Sequence, residues 1–247
     1  MSPGRVRARL GLCACVLLVP LALAAPARAQ PQPELAGSVR LSDEETFTSW
    51  ARPERGAPIR RLPTRTSRRI ARVRYLAEDG FPEVYLVLRS FTDQDERTWL
   101  QVRIPMRPNG RTGWVVDSAL GPLHLARSRL VVDRRHLRAA LYHSGRRIWW
   151  SPIGVGKPST PTPAGRFWIR ERIKVPNPRG LYGPQAFITS AYSSLPGWPG
   201  GGVVGIHGTN EPYLIPGRPS HGCIRVPNRA ISQLARLMPI GTPVWIR

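Results

Sequence analysis

Cysteine is scarce in this 247-residue chain, and acid is scarce beside base. Of three cysteines, Cys13 and Cys15 lie in an apolar run near the N-terminus, so Cys223 stands alone in the remainder. Exported domains usually pair their cysteines, and a lone thiol flanked by glycine and histidine reads as a nucleophile rather than a staple. Asp and Glu number 15 against 37 Lys and Arg, and beyond Gly121 the acids are Asp133, Glu171 and Glu211. Paired-carboxylate glycoside hydrolysis and magnesium-dependent phosphoryl transfer both need carboxylates that this half does not have to spare, which excludes both classes. Lysine is nearly absent, with Lys157 and Lys174 the two examples, and no repeat of solenoid period is visible.

Arg5, Arg7 and Arg9 precede an apolar run from Leu10 to Ala25, broken at Pro20, and Ala27-Arg28-Ala29 fits a small-x-small cleavage site. The pattern predicts a signal peptide over 1–29, cut before Gln30, and export to the envelope, periplasm or extracellular wall space. An uncleaved membrane anchor is the alternative, although the run is shorter than the ~20 residues of a spanning helix. The formal net charge of +22 stays strongly positive after Arg5, Arg7, Arg9 and Arg28 leave with the leader. Such a field attracts polyanions. Export argues against nucleic acid and for anionic cell envelope polymers, while arginine-rich genome composition accounts for the charge equally well.

Residues 30–56 mix Pro31, Pro33, Pro53, Gly37 and Gly56 with polar residues and show no hydrophobic period, which reads as a linker open to disorder. From 57 to 121 short apolar runs, among them Val84 to Leu88 and Trp99 to Ile104, alternate with turn chemistry such as Pro108-Asn109-Gly110, as in a small β-barrel. Beyond Pro122 the runs Leu130-Val131-Val132, Ala139 to Tyr142 and Ile148-Trp149-Trp150 predict a β-meander. Asn228 is placed to cap a helix carrying Ile231, Leu234, Ala235 and Met238 at helical spacing, and Val244-Trp245-Ile246 closes as a strand. The fold class is mainly β with one helix near the C-terminus.

Cys223 sits in Ser220-His221-Gly222-Cys223-Ile224-Arg225, sixteen positions after His207. A thiol of ordinary pKa, ~8.5, is mostly protonated at neutral pH and needs a neighbouring base, and His207 at the end of Val203 to Ile206 has a rigid mount for that role. Gly222 lets a carbonyl approach the backbone, and N–H groups around Gly222 and Cys223 can hold an oxyanion. A zinc site from His207, His221 and Cys223 uses the same residues but lacks a fourth ligand at natural spacing. Gly200 to Gly205 formally fits Gly-x-Gly-x-x-Gly, yet no acid follows ~20 residues on, so it reads as a loop leading into a strand.

Ile206-His207-Gly208-Thr209 followed by Ser220 to Arg225 resembles the signature of the L,D-transpeptidases that cross-link peptidoglycan, and Thr160 to Phe167 and Gly241 to Val244 extend the likeness over residues 128–247. The segment Trp99 to Val115 is similar to the SH3-like domains of bacterial envelope enzymes, for residues 57–121. The resemblance implies a β-rich catalytic domain without cofactor or metal, in which Cys223 forms a thioester with a stem tetrapeptide and releases D-alanine to an amine-resolved transfer. It implies His207 as base oriented by the Gly208 carbonyl, with His221 supporting the site and Ser220 shaping the loop. Arg225, and less directly Arg218, would hold the thiolate or a substrate carboxylate. Peptidoglycan stem peptides are the implied partner and a carbapenem the implied inhibitor. L,D-carboxypeptidase action and attachment of a protein to the wall share the thioester and stay open. A papain-like endopeptidase is disfavoured because its cysteine precedes its histidine, and a non-catalytic wall-binding protein has no use for the thiol.

Overall fold

The computed structural model describes residues 35–195, 197 and 199–247. The leader expected over 1–29 lies outside the described residues. Two sheets carry the described chain. The first is built from β1 (Val39–Arg40), β2 (Thr48–Ala51), β3 (Pro58–Arg60), β4 (Arg69–Arg72), β5 (Tyr85–Thr92), β6 (Thr98–Arg103), β7 (Thr112–Val116) and β8 (His124–Ala126). Its order is β4-β3-β7-β6-β5-β2-β8, with β1 also on β5. The inward residues Ile59, Tyr85, Val87, Val102 and Val115 form its core, following the period-2 alternation of a half-buried strand.

The linker expected over 30–56 is sheet in part. Strands of two and four residues leave no periodic signal to read, yet β1 and β2 pair with β5. Ser42 Oγ donates to Val87 O at 2.5 Å. Glu44 is buried because its carboxylate accepts from Arg103 Nε and Nη2 at 2.6 and 2.7 Å and from Arg166 Nη1 at 3.3 Å. Asn109 does more than turn the chain. Its side chain bonds both backbone groups of Tyr192, Nδ2 to O at 2.8 Å and N to Oδ1 at 3.0 Å.

The second sheet comprises β9 (Ser128–Asp133), β10 (Arg138–His143), β11 (Arg146–Pro152), β12 (Gly154–Gly156), β13 (Gly165–Lys174), β14 (Gln185–Tyr192), β15 (Val203–His207), β16 (Gly217–Ser220), β17 (Ile224–Arg225) and β18 (Pro243–Ile246). The order is β11-β10-β9-β18-β13-β14-β15-β17-β12-β16. The helix α1 (Asn228–Leu237) buries Ile231, Leu234 and Ala235 in the core with Leu130, Phe187 and Ile206. Its start differs from the expected cap. Pro227 is the N-cap and no side chain closes the first turn, because Asn228 Oδ1 accepts instead from Thr209 N at 2.8 Å, beside the candidate site.

The sheets join through β5 and β13. Val84, Leu86 and Trp168 form a shared apolar cluster, and Trp168 Nε1 donates to Val84 O at 2.8 Å. Gly241, at φ +77°, lets the chain pass Trp50, where a Cβ would come within 2.1 Å of the indole. Beside this cluster Arg170 pairs with Glu83 at 3.2 Å, their side chains 1% and 0% exposed. Arg74 reaches Glu83 at 2.8 Å and Glu78 at 2.7 Å, and Tyr192 Oη donates to Glu78 at 2.6 Å.

Removing one partner of a buried pair leaves an uncompensated charge, at a cost of about 3–5 kcal/mol. Glu83→Ala is therefore expected to lower the urea midpoint of unfolding by that equivalent. A midpoint within about 0.5 kcal/mol of wild type would show that the joint does not depend on the pair.

Candidate active site

His207 and Cys223 meet because β15 and β17 are parallel neighbours, with Ile206 opposite Ile224 and His207 opposite Arg225. His207 ends β15 and Cys223 immediately precedes β17, so each is mounted at the edge of a paired strand. Both face Gly205. Cys223 Sγ and His207 Cδ2 each lie 3.8 Å from where a Cβ on Gly205 would be, so a side chain there would crowd the gap between thiol and imidazole.

The imidazole is buried, 4% exposed. Its Nδ1 bonds Gly208 O at 2.6 Å, and a carbonyl can only accept, so Nδ1 carries the proton and Nε2 is left as a base. Burial is the main influence on its titration and pulls the pKa down from 6.5 to about 4; the nearby Arg225 charge acts the same way, and the Gly208 bond opposes them. His207 is thus neutral at physiological pH. Gly208 itself has no room for a side chain, since a Cβ would lie 2.4 Å from Asn228 Oδ1. The Tyr182 ring meets the imidazole edge-on at 5.0 Å and is 52% exposed, a neighbour that no motif announced.

Around the thiol, burial pushes the pKa above its ordinary value, while the Gly205 N–H at 3.4 Å and the Arg225 charge pull it partly back. The preceding loop is braced from inside. Ser220 Oγ donates to Cys223 O at 2.5 Å and accepts from Gly222 N at 3.1 Å. This occupies one of the N–H groups expected to hold an oxyanion, so the Gly222 N–H is a structural donor and not a free one. Gly222 takes φ +129°, and a Cβ there would press on Ser193 Cβ at 3.3 Å. Thr162, fully buried, donates to Gly222 O at 2.8 Å and accepts from Gly156 N at 2.9 Å. The Thr-Pro-Thr-Pro segment therefore holds the loop that carries Cys223, a role its sequence did not disclose.

Arg225 is committed to Glu211, whose Oε2 it meets at 2.5 Å. Its buried Nε has no partner among the described residues. The paired guanidinium still acts on both His207 and Cys223 through its charge. Glu211 was not anticipated, although it is one of three acids in this half. Arg218 sits on β16 and donates to Arg134 O at 3.0 Å, while His221 lies exposed on the loop. Among the described residues no three His, Cys, Asp or Glu side chains gather as metal ligands, so the arrangement of His207, His221 and Cys223 weighed for zinc is not assembled.

Residues 127–246 match the family model described as YkuD, the L,D-transpeptidase catalytic domain. A Bacillus licheniformis protein, YkuD, whose name proposes it as an L,D-transpeptidase, is 38% identical over 118 residues, 48% of this chain and 64% of that protein. Its Bacillus subtilis counterpart is 40% identical over 95 residues, 38% of this chain and 51% of that protein. The chain thus spans between half and two thirds of the curated relatives it matches. Among solved structures, an Enterococcus faecium L,D-transpeptidase superposes at 25% identity and TM-score 0.38, covering 49% of each chain.

Because Arg225 lowers the thiol pKa, Arg225→Gln is expected to move the pH profile of Cys223 alkylation by iodoacetamide to higher pH and slow the reaction at neutral pH. An unchanged profile would remove Arg225 as a charge acting on the thiol.

Proposed function

We propose that residues 127–246 form a cysteine acyltransferase of the L,D-transpeptidase kind, acting on peptidoglycan stem peptides in cell wall biogenesis. The observation that carries this reading is the pairing of a buried neutral imidazole, its Nδ1–H held by Gly208 O, with a lone thiol across Gly205. The local sequence match over 127–246 supports this substrate class.

In the proposed reaction Cys223 Sγ attacks the carbonyl carbon of the third stem residue, and His207 Nε2 takes the thiol proton. The tetrahedral oxyanion is met by the Cys223 N–H, since the Gly222 N–H serves Ser220. Collapse breaks the C–N bond to D-alanine, whose amine receives the proton from His207, and leaves a thioester on Cys223. An acceptor amine then attacks the thioester, gives a proton to His207, and the thiol is re-formed with that proton. No metal or organic cofactor takes part in the steps. The basic leader over 1–29 fits delivery to the envelope where this substrate lies, and the sheet formed from residues 39–126, with its SH3-like stretch, braces the catalytic sheet.

The test is mass spectrometry of products from the chain and its Cys223→Ala variant, given a tetrapeptide stem ending in D-alanine and a D-amino acid acceptor. Cysteine-dependent exchange or dimer is the expected result. Loss of D-alanine alone would make the protein an L,D-carboxypeptidase, and an unaltered substrate would overturn the reading in favour of anchoring or binding. A carbapenem is a strained acyl donor, so it is expected to add its mass to wild type and not to Cys223→Ala. An unchanged intact mass after incubation would contradict a thiol nucleophile.

A further inference from the structure

A second concavity lies where the two sheets meet the end of the helix, lined by residues none of which belongs to the site above. It has a volume of about 430 Å³ and is walled by Arg127, Arg172 and Arg236, with Leu125 and Leu237 among its apolar surfaces. No acidic residue lines it. The three acids beyond Gly121 are engaged by other groups, Asp133 by His136 and Arg247, Glu171 by the Arg172 backbone N–H at 2.8 Å with Arg52 nearby, and Glu211 by Arg225. Among the described residues none of the three groove arginines is ion-paired. The Arg172 guanidinium makes one hydrogen bond among the described residues, Nη1 to Ala235 O at 2.5 Å, which leaves its other N–H groups for a ligand.

Three arginines, drawn from the sheet connection, β13 and the last turn of α1, line one hollow, a concentration of like charge that favours an anion there. Each presents a forked set of donors that matches phosphate oxygens. A carboxylate would satisfy one fork, whereas a tetrahedral oxyanion can accept from three sides. The volume falls in the range of small-ligand sites and admits a phosphate with its ester substituent. Leu125, 51% exposed, and Leu237, 41% exposed, give that substituent an apolar wall.

We propose that this groove is a phosphate-binding site, separate from Cys223, for a phosphate ester. Inorganic tripolyphosphate is the probe, titrated into the full chain by calorimetry. Binding is expected to weaken at least about tenfold in Arg127→Gln/Arg172→Gln/Arg236→Gln, as loss of charge-assisted contacts implies. The control Arg61→Gln/Arg65→Gln/Arg68→Gln removes the same charge from exposed positions elsewhere and is expected to change affinity less than about threefold, because a diffuse field is largely screened. Equal weakening in both variants, or none in the groove variant, would overturn the site and leave only a general field. Arg127→Gln/Arg236→Gln keeps the Arg172 anchor and must show the same direction, with Cys223 alkylation unchanged as the check on folding. Phosphatidylglycerol vesicles, with phosphatidylcholine for comparison, identify the source: groove-dependent binding to the former assigns a lipid headgroup, and tripolyphosphate binding without vesicle binding assigns a soluble or polymeric phosphate.

Discussion

Arg170 of the second sheet and Glu83 of the first are an ion pair sealed from solvent. Taking two such charges out of water costs several kcal/mol per ion, and the pair persists because further partners surround it. Glu78 supplies a second carboxylate at 3.1 Å from Arg170, Arg74 bridges the two acids, and Arg170 Nε donates to Thr189 O. Glu78 would be raised by its partial burial, but hydrogen bonds from Tyr192 and Arg74 hold its pKa at about 2 instead of 4.5. Its contribution is therefore present above about pH 4.5 and is lost as pH falls toward 2. Tyr192 belongs to this cluster and ends β14. The next residue, Ser193, abuts Gly222, so the joint between sheets is one residue away from the loop that carries Cys223.

A parallel pair of strands cannot be joined by a tight turn, and the chain between β15 and β17 spends its crossover on the site itself. Within it lie Gly208, which orients the base, Glu211, which holds Arg225, and Ser220, which ties down the loop. The crossover also supplies β16, which pairs with β12. The Thr162 hydroxyl then crosses from the segment after β12 to the carbonyl of Gly222. Neither His207 nor Cys223 is positioned by the chain segment next to it alone.

His207 and Cys223 were legible as candidates because their chemistry is local: a lone thiol, a histidine ending an apolar strand, and a specific string around each. Strands β9, β10, β15 and β18 and the helix were legible from hydrophobic period. The longest strands of the second sheet, β13 and β14, were not. In β13 the sequence Arg166 to Lys174 places charge at buried and exposed positions alike, and Arg170 is inside only because acids 87 and 92 positions away in the chain receive it. Such burial has no one-sequence signal. Asn228 misled for a related reason, since a residue suited to capping a helix is equally suited to accept from a distant backbone N–H, and here Thr209 takes it. Arg225 was legible as a charge beside the thiol, but its bond to Glu211 required the fold.

Burial governs the chemistry of the site as it governs the joint. It lowers the His207 pKa and raises that of Cys223, so both displacements favour an uncharged imidazole and thiol over an imidazolium–thiolate pair. A free thiolate would be exposed to oxidants and disulfide exchange, whereas a neutral thiol is a poor nucleophile until a base removes its proton. The geometry reconciles the two demands. His207 is fixed in the tautomer that leaves Nε2 basic, and the Gly205 N–H and the Arg225 charge favour negative charge on sulfur as it develops. Stabilisation directed at developing charge lowers the barrier without stabilising the resting state equally. Gly205, the paired Arg225 and the carbonyl of Gly208 therefore act on the same two groups: burial favours their neutral forms, while the Gly205 N–H and the Arg225 charge favour ionisation of the sulfur.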